Sequence, residues 1–339
     1  MRPEESERLL IEELFSNTQS RIADLTNMKI EKVNKLTGDA STRRYYRVHT
    51  NKGSFVSCLS ESKEDEEHSD FLNVYKVLNR FNVRVPTIHD LNITKGYFLQ
   101  EDLGDVTFLS YVTKLTCDEE IFETYKKVIN TLIEIHKIPV DKKFNWGKLE
   151  FDVEKYMSEM NFTNKFFFNC FLQNPLSLDE EKVYSSQLNK LVKELSETSK
   201  VLSHRDFHSR NIMVKSEDFV VIDFQDARQG IAQYDLVSML EDCYFQLTDD
   251  NIKKLKEYYF KHSPSIDQSQ EQFDRLYDLM TIQRVLKAIG SFSYIYETRK
   301  DIRYVKYIGY GFEKVRNKLK KYPEYLELYN LLIGKYYES

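Results

Sequence analysis

Residues 203–224 constrain the fold more than any other stretch of the chain. A β-prone pair, Val201-Leu202, leads into the polar loop His204-Arg205-Asp206-Phe207-His208-Ser209-Arg210-Asn211. Two apolar runs follow, Ile212-Met213-Val214 and Phe219-Val220-Val221-Ile222, the second ending in Asp223-Phe224. These runs suit a hairpin and are too short for helices, yet helical periodicity lies on both sides. Upstream, Ile121, Tyr125, Val128, Leu132 and Ile135 recur as a buried helical stripe, and Val183, Leu188, Leu191, Val192 and Leu195 mark a second helix. Residues 267–296 and 303–319 carry two more such patterns. A helical body must therefore accommodate one small β element that presents a polar loop.

The front of the chain reads differently. Leu9, Leu10, Leu14 and Phe15 give a leading helix, and residues 30–59 are Val-, Tyr- and Phe-rich runs broken by Thr37-Gly38-Asp39 and Asn51-Lys52-Gly53, which predicts three antiparallel strands. Residues 64–80 return to helix, with Phe71, Leu72, Tyr75 and Leu78 on one face, before two strands around 83–91 and 97–101. A chain of 339 residues exceeds what one core usually organises. The composition shift at residues 102–104 divides it into a small antiparallel-sheet lobe, 1–102, and a larger, mainly helical lobe, 103–339: an α+β fold with two lobes.

Charge narrows the partners. A net charge of −5 with both signs interspersed argues against a nucleic-acid or anionic-membrane surface, and a small solute is the better partner. The charged start and the absence of any apolar run near the ~20 residues of a membrane span predict a cytoplasmic protein, monomeric or a small homo-oligomer. Cys58, Cys117, Cys170 and Cys243 are widely spaced and signal neither a zinc site nor a disulfide framework.

The loop carries the chemistry. Mg²⁺ takes oxygen ligands and keeps several waters, so Asn211 and Asp223 supply the few protein oxygens that position a nucleotide's phosphates. Asp206 is left to orient an incoming hydroxyl and accept its proton at an ordinary carboxylate pKa. The alternative, a polar turn whose side chains only cap backbone amides, does not account for all three residues at this spacing beside a hairpin.

These stretches resemble the aminoglycoside phosphotransferase and choline kinase superfamily, distant relatives of protein kinases. Within it they are most similar to the bacterial anomeric amino-sugar kinases of cell-wall recycling, which act on N-acetylmuramate and N-acetylglucosamine. Thr37-Gly38-Asp39-Ala40-Ser41-Thr42-Arg43-Arg44-Tyr45-Tyr46-Arg47 resembles the nucleotide loop, and residues 204–211 with Asp223-Phe224-Gln225-Asp226-Ala227 resemble the catalytic core. Tyr234-Asp235-Leu236-Val237-Ser238 with Asp242-Cys243, and residues 283–290 with Arg303-Tyr304, resemble the following helix and the substrate region. The resemblance implies a protein-kinase-like fold, ATP and Mg²⁺, and a sugar 1-phosphate product.

It further implies nucleotide contacts from Gly38, Asp39, Ala40, Ser41, Thr42 and Arg44, a hinge at Glu101 to Leu103 whose backbone faces adenine, and substrate contacts from His208, Arg210, Asp226, Arg284 and Arg303. Alone, Gly38 to Ser41 reads more readily as an ordinary hairpin turn than as a nest of amides for phosphate; its place ahead of the catalytic loop reverses that preference. Asp226 reads as a substrate or second-metal ligand, or as a brace for the loop. His204 and Asp235 read as loop supports. Residues 54–59 lack the lysine that many kinases carry on the third strand, leaving Lys63, Arg43, Arg44 or Arg47 to compensate. Two rival readings stand beside the sugar kinase: a kinase of an aminoglycoside, choline or similar amine, and a nucleotide-binding pseudokinase.

Overall fold

The computed structural model describes residues 3–22, 25–36, 43–60, 69–92 and 95–338. The nucleotide-loop residues Gly38, Asp39, Ala40, Ser41 and Thr42, together with Lys63, lie outside that set.

Helix α1 (Pro3–Gln19) precedes β1 (Ile30–Lys35), β2 (Arg44–Thr50) and β3 (Gly53–Leu59), and α2 (Asp70–Arg80) comes before β4 (Ile88–Asn92) and β5 (Tyr97–Glu101). The strands form one antiparallel sheet in the order β1-β2-β3-β5-β4. The second turn signal closes β2 onto β3 in register from Thr50↔Gly53 to Arg44↔Leu59, and Gly53 takes the positive φ the turn requires. Strand alternation then sorts the sheet's two faces. Tyr46, Val48, Leu59, Tyr97 and Leu99 bury themselves against Ile11, Leu14 and Phe15 of α1. The opposite face carries Tyr45, Cys58 and Phe98 in register across three strands, and Phe98 stacks on Phe71 of α2 at 4.9 Å between ring centroids.

After β5 come α3 (Phe108–Val112), α4 (Asp118–His136), α5 (Asn145–Lys148) and α6 (Val153–Thr163), which runs into a π-helical segment at Asn164–Phe171. Next are α7 (Leu178–Ser196), β6 (Lys200–Ser203), β7 (Ile212–Lys215), β8 (Asp218–Val221) and β9 (Arg228–Ile231). The chain ends with α8 (Ala232–Leu240), α9 (Asp249–His262), α10 (Gln270–Arg299), α11 (Lys306–Leu319) and α12 (Leu326–Tyr337). Helix starts follow local chemistry: Ser177 and Glu180 form a capping box on α7, and Thr248 and Ser269 cap α9 and α10. Antiparallel pairs β6–β9 and β7–β8 form the inserted β element.

Helix α10 is the axis of the helical part. Leu276, Leu279, Ile282, Leu286 and Ile289 are fully or almost fully buried on it, as are the polar Asp278 and Gln283. Asp278 is matched by Lys318 and Lys321, and the Gln283 amide nitrogen donates to Glu159, while the Gln283 amide oxygen has no hydrogen-bond partner among the described residues. Gly290 lets α10 approach α6 closely: a Cβ there would sit 2.5 Å from Thr163 Oγ1. The large core also takes in Val74, Leu78, Val83 and Val85, so α2 and the chain after it pack with the helices while α1 and the other sheet face form a separate cluster.

Candidate active site

The polar loop sits between β6 and β7, and helix α8 holds it from behind. Asp235 accepts hydrogen bonds from the backbone N–H of His204 at 2.7 Å and of Arg205 at 3.0 Å, and lies 3.4 Å from His136 Nε2. His204 donates from Nε2–H to the Ile222 carbonyl at 3.0 Å, tying the loop to the end of the hairpin. Asp242 accepts from the backbone and hydroxyl of Ser209. The loop is thereby fixed at three points before any ligand arrives. Arg205 and Asp223 both take left-handed backbone conformations, φ 81° and 63°, which non-glycine residues adopt at some cost.

A cavity of about 370 Å³ opens beside the loop, and Asp206, His208, Arg210, Asn211, Asp223, Arg284 and Arg303 all line it. Asp206 meets two cations from α10: Arg284 at 3.2 Å and Lys287 at 3.3 Å. Burial works against its charge, yet Lys287 and then Arg284 hold its carboxyl far below the usual carboxylate range. The lowering arises because two helix cations reach one carboxylate oxygen, where an ordinary carboxylate pKa would already suffice for the role read from sequence.

Asn211 and Asp223 face each other. The amide nitrogen of Asn211 donates to the Asp206 carbonyl at 3.0 Å and to Asp223 Oδ2 at 3.3 Å, while Gln225 donates to Asp223 Oδ1 at 2.8 Å. The donor set fits magnesium in kind, because a side-chain amide and a carboxylate both offer hard oxygens, although it is the amide nitrogen of Asn211 that faces Asp223 here. Among the described residues no cluster of three or more His, Cys, Asp or Glu side chains offers a rival metal site.

Arg303 also lines the cavity, while the other expected site residues are placed elsewhere. Arg44 projects onto the α1 face of the sheet and pairs with Glu7 at 2.5 Å. Arg43 occupies the opposite face: its guanidinium lies 4.9 Å over the Phe71 ring, and Phe71 stacks on Phe224, next to Asp223, at 5.3 Å. Arg47 pairs with Asp102 at 2.8 Å and with Asp105 at 2.8 Å. Asp226 does not line the cavity; it pairs with Arg205 at 3.0 Å with its side chain 57% exposed, which matches the bracing alternative. Arg303 lines the cavity rim with its guanidinium on Asp301 at 2.6 Å.

At the expected hinge, Leu103 is buried and the Glu101 side chain is fully engaged: Arg84 at 2.7 Å, Lys215 at 2.9 Å, and the backbone N–H of Thr87 at 3.2 Å. Lys215 also donates to the Asp102 carbonyl at 2.7 Å, so β7 is tied to the chain leaving β5. Partial burial raises the Glu101 pKa, but the donated hydrogen bonds from Arg84 and Lys215 outweigh it and bring it to about 2, from an ordinary 4.5. A carboxylate depressed by folding adds stability that is complete above pH 4.5 and is lost as pH falls toward 2. Glu101→Gln is therefore expected to flatten the fall in denaturation midpoint between pH 5 and pH 3; an unchanged slope would count against this account.

Sequence reasoning did not find Lys215 at the hinge, nor the aromatic residues Tyr244 and Phe292 in the cavity wall. Lys215 ends a four-residue strand and carries no local signal, and the aromatic residues are dispersed among many others of their type.

Comparison with known proteins follows the same lines. Residues 32–279 match a family described as phosphotransferase enzyme family. An N-acetylmuramate/N-acetylglucosamine kinase of Neisseria meningitidis serogroup B is 28% identical over 300 residues, covering 87% of this chain and 88% of that protein. Among solved structures, ADP-bound aminoglycoside phosphotransferase APH(2'')-Ib aligns with TM-score 0.57 and 17% identity over 89% of this chain and 97% of its own. Choline kinase LicA from Streptococcus pneumoniae aligns with TM-score 0.59 and 14% identity over 91% and 99%. At those identities the solved structures speak to the fold. Among the described residues no helix is long and apolar enough to cross a membrane.

Proposed function

The chain belongs to the phosphotransferase enzyme family and is a kinase with a hydroxyl acceptor, and from that premise we propose that it transfers a phosphoryl group from ATP to the anomeric hydroxyl of an N-acetylated amino sugar. The N-terminal part, residues 1–102, carries the nucleotide, and residues 103–339 carry the acceptor and the catalytic loop.

One observation carries the choice of acceptor: Asp206 is clamped by Lys287 and Arg284. A carboxylate so held is a weak base, suited to a hydroxyl more acidic than an ordinary alcohol, and the anomeric hydroxyl is such a group. The two cations also make the neighbourhood of Asp206 unfavourable for a positively charged acceptor such as choline or an aminoglycoside. The sugar kinase names of the relatives support the same reading.

The residues divide the work. Asp206 orients the hydroxyl and takes its proton as transfer proceeds. Asn211 and Asp223 hold magnesium, which when bound neutralises charge on the nucleotide's phosphates. Arg43, on the inner sheet face near Phe224, supplies the positive charge absent from β3, and the Phe71 ring beneath it helps to direct it. His204, Asp235 and Asp242 keep the loop in shape.

Incubation with ATP and Mg²⁺ and a panel of N-acetylmuramate, N-acetylglucosamine, kanamycin and choline tests this. Phosphorus NMR is expected to show phosphate on the anomeric oxygen of the amino sugars, with kcat/KM at least roughly 10²-fold above the cationic acceptors. Phosphate appearing on kanamycin or choline alone would overturn the assignment.

A further inference from the structure

Arg210 differs from Arg284, Lys287 and Arg303, three other cations lining the cavity, in what holds it. Arg284 and Lys287 face Asp206, and Arg303 is folded onto Asp301. Arg210 is instead held by two aromatic side chains: its guanidinium carbon lies 3.9 Å from the centroid of Tyr244 and 5.3 Å from that of Tyr304. One of its N–H groups donates to the Tyr304 hydroxyl at 3.1 Å. The rings are themselves fixed. Tyr244 meets Tyr307 edge-on at 5.0 Å and His208 at 5.5 Å, and Tyr304 stacks on Phe292 at 5.7 Å.

The Tyr244 ring covers one face of the guanidinium and leaves its edge, where all five donors lie. Tyr304 uses a neutral oxygen on part of that edge. The two acids nearest in sequence to Tyr244 are engaged elsewhere: Asp242 accepts from Ser209 and from the Tyr244 backbone at 2.8 Å, and Glu241 faces Lys314 and Lys318 at 2.9 and 3.4 Å. Arg210 is thus a rigid, partly desolvated fork whose described neighbours are aromatic and neutral, and that setting favours a planar anion in the cavity. Its clamp comes from α10, the segment after it and the loop after α8, all within residues 103–339, the part assigned to the acceptor above. The anion therefore belongs to the acceptor and not to the nucleotide.

Resting on the amino-sugar reading above, we infer that Arg210 recognises a carboxylate carried on the acceptor sugar, the feature that separates N-acetylmuramate from N-acetylglucosamine. It is a specificity-determining residue: the carboxylate pairs with its fork while Asp206 addresses the anomeric hydroxyl.

The test is the ratio of kcat/KM for N-acetylmuramate to that for N-acetylglucosamine, measured on the full chain at saturating ATP and Mg²⁺. Arg210→Gln is expected to lower this ratio roughly 10- to 100-fold, mainly through KM for the acidic sugar, the range for losing charge-assisted hydrogen bonds. Arg210→Lys, which keeps the charge, recovers part of it. Tyr304→Phe leaves the stack and removes one hydroxyl, and shifts the ratio in the same direction by a few-fold; it keeps the question open to refutation if Arg210→Gln does not fold. Equal losses for both sugars in Arg210→Gln and Tyr304→Phe would make Arg210 a loop-positioning residue and overturn the inference while the sugar kinase reading stands. A wild-type chain that phosphorylates neither sugar overturns both.

Discussion

Asp206→Asn is expected to lower kcat by a factor on the order of 10² to 10⁴, with ATP affinity in the presence of Mg²⁺ nearly unchanged. Asparagine keeps the shape of the side chain and its place against Arg284 and Lys287, but it cannot take a proton. The substitution also leaves those two cations facing a neutral amide in a site where the Asp206 side chain is only 27% exposed. Some stability is lost with the ion pairs, so thermal melting and nucleotide titration belong beside the rate measurement. A folded, nucleotide-binding variant with wild-type turnover would remove Asp206 from the role of proton acceptor.

Asp223→Asn is expected to act earlier in the cycle. Asparagine tolerates the left-handed backbone that residue 223 adopts, so the loop keeps its course and the change is confined to one negative charge. The increase in ATP affinity that Mg²⁺ confers is expected to shrink by at least roughly 10- to 100-fold, the range that even outer-shell partners of a metal command. Affinity in the absence of Mg²⁺ is expected to change little. Titrations with and without Mg²⁺ that coincide with those of the wild type would dismiss Asp223 as a metal ligand.

Both residues were legible because the signals that mark them are local. The strands at 30–59 announce themselves by turn chemistry, and the loop from His204 to Asn211 is bounded by runs that suit a hairpin and nothing longer. The helices at 121–135 and 183–195 follow a 3.6-residue period because each buries one face. Strand β9 escaped notice: four residues, Arg228–Ile231, carry too little alternation to be seen, and only their pairing with Lys200–Ser203 makes them a strand. Helix α12 was missed for the opposite reason, since its apolar and tyrosine residues run together with no clear polar face.

The site residues divide in the same way. Asp206, Asn211 and Asp223 lie on one short segment and share one cavity. The sequence indicated that Arg43 and Arg44 face opposite sides of a strand, but which side holds α1 is a tertiary fact, and so Arg44 was assigned to the nucleotide when its partner is Glu7. The depressed pKa of Asp206 was equally out of reach, because it arises where a helix far along the chain crosses the loop. No local rule foretells such a crossing.

Phe71, Phe98 and Phe224 form a pile joining helix α2, strand β5 and the residue after Asp223. Any fluctuation that unseats α2 must shear this pile, and the disturbance is felt one peptide bond from the carboxylate at 223. Slow amide exchange in α2 and in the segment after β8 should therefore rise and fall together, as a single cooperative unit spanning the crevice.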